Sequence, residues 1–176
     1  MKINIIGLPA SGKTTLAASI SHIYSLPCLN LDTLVFETVH KHQRVRVSSD
    51  EYLQTVKKFM YKRQWVIEGI YPIDEVLQKA DVVIWMHRSF PKLLYLQWFR
   101  YCTDRQQRQE YGFISNVKLS KFIYNLYFNL IGITVYDRQK PMTIQDIKKK
   151  LRGYKNKLRV LSSEKEIEKF LEQIKK

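Results

Sequence analysis

Short apolar runs alternate along the chain with stretches in which apolar positions fall three and four apart. Lys2 to Ile6, Pro27 to Leu31, Trp65 to Glu68, Val82 to Met86 and Leu158 to Leu161 read as strands. These runs are nearly continuous in apolar character, which predicts strands covered on both faces, as in a parallel sheet between two helix layers. Helical spacing follows a glycine-rich turn at Thr15 to Ile20. It recurs where Ser48-Ser49-Asp50-Glu51 forms a capping box ahead of Leu53, Val56, Phe59 and Met60, and where Ser163 and Glu166 precede Ile167, Phe170, Leu171 and Ile174. The expectation is a three-layer α/β domain over residues 1–176, built on a five-stranded parallel sheet with helices on both faces. Glu37 to Val47 and Thr103 to Gly112 carry no core-facing pattern and read as irregular. Phe122 to Tyr136 is uncharged and reads as a buried or half-buried helix, short of the ~20 apolar residues that span a bilayer.

Charge adds a preference for anions. Thirty Lys and Arg face sixteen Asp and Glu, a formal net charge of +14. Much of the excess lies in Lys148-Lys149-Lys150, Arg152, Lys155, Lys157, Arg159 and Lys175-Lys176, read as solvated helix faces. Nucleic-acid contact there is expected to be weak and non-specific at most, because no base-reading motif accompanies the charge. Cys28 and Cys102 stand far apart and are expected to be free thiols in a reducing, cytoplasmic setting. Lys2 and the short apolar run after it lead directly into the glycine turn, so the N-terminus reads as mature sequence rather than a signal peptide. Oligomeric state leaves no trace in the sequence.

The chemistry concentrates in Gly7-Leu8-Pro9-Ala10-Ser11-Gly12-Lys13-Thr14, which fits the phosphate-binding pattern G-x-x-x-x-G-K-[ST] and sits between a strand and a helix. Glycines let backbone wrap closely round an anion, and the helix adds the positive end of its dipole. A nucleoside triphosphate is the implied ligand, with Lys13 on the β- and γ-phosphates and Thr14 on Mg²⁺. Asp32 follows the second strand, at the end where such sheets bind ligands; it reads either as a carboxylate addressing an acceptor hydroxyl or as a helix N-cap. Glu68 ends the third strand, where it would bind Mg²⁺, and Gly69 would allow close approach of a substrate. Arg88, after the fourth strand, is either a phosphate ligand or a structural arginine; His87 beside it reads as structural. Arg100, Arg105 and Arg108 are candidates for a mobile cationic cover over 103–112.

The loop at Gly7 to Thr14, Leu29-Asn30-Leu31-Asp32-Thr33-Leu34, Trp65-Val66-Ile67-Glu68-Gly69-Ile70-Tyr71 and Ala80 to Arg88, in that order, resemble the adenylate-kinase-related P-loop proteins of the DNA topology modulation (FlaR-like) family. That resemblance implies a nucleotide-kinase-like fold with a short arginine-bearing lid, phosphates on Gly12, Lys13, Thr14 and Thr15, Asp32 near the acceptor, and ATP with Mg²⁺ as cofactors. The family carries Asp where this chain has Glu68 and His87. The implied activity is phosphoryl transfer from ATP to a small acceptor such as a nucleotide. The alternatives are a nucleotide-dependent DNA-binding or regulatory protein and a slow ATPase switch.

Overall fold

The computed structural model describes residues 1–34, 36–40, 43–89, 91–93, 95, 96, 99, 133, 134 and 142–175. In chain order its elements are β1 (Lys2–Gly7), α1 (Lys13–Tyr24), β2 (Cys28–Asn30), α2 (Leu31–Leu34), β3 (Phe36–His40), β4 (Gln43–Arg46), α3 (Ser49–Met60) and β5 (Trp65–Gly69). There follow α4 (Asp74–Lys79), β6 (Val82–Met86), β7 (Ile133–Thr134), β8 (Met142–Thr143), α5 (Ile144–Arg152), β9 (Leu158–Leu161) and α6 (Glu164–Lys175). The five expected runs form one parallel sheet in the order β2-β5-β1-β6-β9.

Alternate side chains of each strand enter opposite layers, which is why the runs are apolar throughout. Ile6, Ile67, Val83 and Trp85 pack with Val56, Met60, Leu77, Ile147 and Leu151 from α3, α4 and α5. Ile3, Ile5, Val66, Ile84 and Met86 pack with Leu16, Ile20 and Phe170 from α1 and α6. β1 lies at the centre, with β5 and β6 on either side, so the carboxyl ends of these strands bring Gly7, Glu68 and Arg88 to one edge.

The expected capping box at Ser163 forms with both its bonds, and the one at Ser48 with its N-cap bond. Ser48 Oγ accepts from Glu51 N at 3.2 Å. Ser163 Oγ accepts from Glu166 N at 3.2 Å, and Glu166 Oε2 accepts in return from Ser163 N at 3.3 Å. Leu53, placed on the core side by spacing, is 41% exposed, because the buried face of α3 centres on Val56 and Met60 and leaves Leu53 at its flank.

Other expectations need correction. Glu37 to Val47 is no irregular stretch: β3 and β4 form an antiparallel hairpin with a register shift between Thr38 and His40. Its β-branched Thr38, Val39 and Val45 favour the pleat, but interleaved charges hide the period of two. The second strand stops at Asn30, since the Asn30 side chain accepts from Thr33 N at 3.1 Å and starts α2. Ile133 and Thr134 pair with β8 as a strand, against the helix expected to run to Tyr136; residues 122–132, 135 and 136 lie outside the described residues. Among the described residues no helix is long and apolar enough to cross a membrane.

Candidate functional site

The loop between β1 and α1 depends on two close approaches. A Cβ on Gly7 would stand 2.5 Å from Ser11 Oγ and 2.8 Å from Met86 Cβ, so only glycine lets the chain turn there. Ser11 N then donates to Leu8 O at 3.1 Å, across a turn containing Pro9 and Ala10. Ala10 (φ 62°) and Gly12 (φ 92°) adopt left-handed backbone, the kind of local strain that accumulates at ligand clamps. α1 starts at Lys13 with Gly12 as a cap that has no side chain, and its first turn holds no acid. The first-turn N–H groups and the positive helix end are thus open to an anion.

Lys13, 8% exposed, gathers two carboxylates from neighbouring elements. Its Nζ lies 2.8 Å from Asp32 Oδ2 and 3.8 Å from Glu68 Oε2. Thr14 Oγ1 donates to Glu68 Oε1 at 2.8 Å. Glu68 is 1% exposed, and its Oε2 has no hydrogen-bond partner among the described residues. Burial pushes the Glu68 carboxyl above its ordinary range; the Lys13 charge and the Thr14 bond oppose this, Asp32 adds to it, and the Asn30 side chain opposes it. An orphaned, buried carboxylate oxygen beside a threonine hydroxyl is a donor set suited to a hard cation. Mg²⁺ typically takes one or two such protein oxygens together with substrate phosphates.

Asp32 is not the cap of α2; Asn30 is. Asp32 instead accepts from Ile70 N at 3.1 Å while it holds Lys13, which fixes its carboxylate across the ends of β2 and β5. Gly69 admits the Leu31 side chain, not a substrate: an added Cβ would lie 2.9 Å from Leu31 Cβ. The Gly69→Ala protein is therefore expected to lose about 1–3 kcal/mol of stability through overpacking, measured by urea unfolding. Stability equal to wild type would contradict so tight a seat for α2.

A cavity of about 640 Å³ lies over the loop, lined by Ala10, Ser11, Gly12, Lys13, Thr14 and Thr15. Gly7 and Pro9 shape the loop without lining the cavity, while Asp32 and Glu68 reach it through Lys13 and Thr14. Its far wall is apolar, with Leu96, Ile167 and Leu171, and was not legible in advance because α6 arrives from the other end of the chain. Arg88 combines the two roles left open for it. It lines the cavity yet is 8% exposed, with Nε donating to Ser11 O at 3.3 Å and a terminal nitrogen donating to Ser162 O at 3.0 Å and 3.4 Å from Glu164. Its fork thus ties the loop to the start of α6; the Glu164 backbone N–H first, and then the Arg88 charge, hold the Glu164 carboxyl below the usual range. His87 is exposed, and partial burial and then Lys148 lower its pKa. Arg100, Arg105, Arg108 and the expected lid over 103–112 lie outside the described residues.

No protein-family model matches the chain, and no curated protein matches it in sequence. Solved structures match it in fold. A gluconokinase from Sinorhizobium meliloti 1021 superposes over 98% of this chain and 92% of its own, with a TM-score of 0.50 and 14% identity. A shikimate kinase from Bacteroides thetaiotaomicron superposes over 99% of this chain and 96% of its own, with a TM-score of 0.50 and 15% identity. The chain has the P-loop kinase-like fold.

Proposed function

We propose that this protein is an ATP-dependent phosphotransferase acting on a small acceptor. The observation that carries the reading is the convergence of Lys13, Asp32, Glu68 and Thr14 beneath an anion-binding loop. The triphosphate would lie on the backbone of residues 7–15, with its base toward the apolar wall of Leu96, Ile167 and Leu171. Thr14 and Glu68 would hold Mg²⁺, which when bound neutralises charge on the β- and γ-phosphate oxygens.

In the free protein Lys13 is engaged by two carboxylates. An arriving phosphate competes for the ammonium and frees Asp32. The freed carboxylate then accepts the proton of the acceptor hydroxyl as its oxygen bonds to the γ-phosphorus, and ADP leaves with the electrons of the broken P–O bond. Arg88 steadies the loop from behind, and Arg105 and Arg108 are the proposed carriers of additional charge from the lid. Kinship with the DNA topology modulation proteins rests on the motif segments alone, and the site offers no feature that favours nucleic-acid binding. Adenylate-kinase-like specificity is one proposal among those the fold accommodates, and Mg²⁺ use and a single domain over 1–176 complete this reading.

An acceptor panel tests it. With ATP and Mg²⁺, ADP release is followed with and without nucleoside monophosphates, gluconate, shikimate and other hydroxyl compounds. Acceptor-dependent turnover supports a transferase, whereas slow release indifferent to every acceptor supports an ATPase switch.

A further inference from the structure

A second cavity, of about 200 Å³, adjoins the first at the carboxyl end of β6. Leu8 of the phosphate loop lines it, with Trp85, His87, Arg88 and Ser89 from the end of β6 and Lys148 from α5. The two cavities meet at Arg88 and differ in the elements that wall them. The larger is walled by Leu16, Ile167 and Leu171 of the α1–α6 layer. The smaller is walled by Trp85 and α5, which belong to the other layer, together with Met86 from the first. Arg88 lines both and stands at the border. A group in the smaller cavity would approach the loop from the side the nucleotide leaves free.

We infer that the smaller cavity seats an anionic group, phosphate or carboxylate, of the phosphoryl acceptor; as to the acceptor, this rests on the phosphotransferase reading. Every ionisable side chain lining the cavity is basic. Lys150 pairs with Asp74 at 2.8 Å, Lys92 with Glu164 at 3.4 Å, and Lys157 with the carbonyls of Gln78 and Ala80. Lys148 has no such partner among the described residues. The Arg88 guanidinium is already held by Glu164 and by the Ser11 and Ser162 carbonyls, so the charge left for an entering oxyanion is that of Lys148, with the His87 imidazole beside it as a further hydrogen-bonding group. The volume suits a phosphate or carboxylate head with a few carbons and excludes a whole nucleotide.

The test is an NMR titration of imidazole resonances, with His87 identified as the signal absent from His87→Gln. Inorganic phosphate is added to protein saturated with MgADP, and acetate is added in a parallel arm. The expected result is a saturable shift of His87 with phosphate, acetate or both, the comparison showing which oxyanion the seat takes. Lys148→Ala should raise the dissociation constant about tenfold, the worth of one charge-assisted hydrogen bond, and Lys148→Arg should restore most of it. An unmoved or non-saturating His87 signal with both anions would overturn the inference. So would a phosphate shift undiminished in Lys148→Ala, which would put the anion on the loop. MgADP binding, read by calorimetry on the same samples, reports separately on the nucleotide site: its failure beside a saturable His87 shift counts against the phosphotransferase reading and leaves the anion seat standing.

Discussion

Replacing Glu68 by Gln is expected to lower turnover about 10²- to 10³-fold, the scale on which loss of one preorganised electrostatic group slows an enzyme. The amide keeps the shape and can still accept from Thr14 Oγ1, but it gives a cation no negative charge. The same variant should be at least as stable as wild type at neutral pH. The folded-state pKa of Glu68 is raised, chiefly by burial, so the folded protein binds more protons than the unfolded chain just above the ordinary carboxylate range. Wild-type stability should fall as pH rises through that window, and ionised Glu68 remains a cost above it; the Gln variant should lack this contribution. Urea unfolding across that range, paired with turnover at neutral pH, checks both halves. Full turnover together with reduced stability would make Glu68 a structural residue.

For Asp32→Asn the expected loss is about 10²- to 10⁴-fold in kcat, the range for removal of a general base, with little change in KM for ATP. Asn retains an oxygen for Ile70 N, so the ends of β2 and β5 stay joined. Proton acceptance is lost, and Lys13 keeps only Glu68 at 3.8 Å. Steady-state kinetics with an identified acceptor separates the roles: a raised KM for ATP at unchanged kcat would make Asp32 a ground-state partner of Lys13 and nothing more.

The sheet was legible in the sequence because burial on both faces leaves unbroken apolar runs, as at Val82 to Met86, and the capping boxes were legible because Ser48 and Ser163 act on residues three positions away. The hairpin of β3 and β4 was hidden because charges interrupt its alternation. Within the site, Gly7 to Thr14 announced the loop as a local motif. Asp32 and Glu68 could be placed at strand ends, but only packing shows both reaching Lys13. Gly69 was assigned to a substrate because sequence cannot show Leu31 filling the space. Lys148, Ile167 and Leu171 were out of reach for a similar reason: they belong to late elements whose position depends on crossovers through the sheet.

Calorimetric titration of MgATP into wild type and Lys13→Ala tests the central claim most directly, since Lys13 joins the loop, both carboxylates and the expected triphosphate. Removing it forfeits at least one charge-assisted bond to phosphate, so affinity should fall about ten- to a hundredfold while circular dichroism reports an intact fold. Equal affinity in the two folded proteins, or no binding by wild type, would contradict a nucleotide site on residues 7–15.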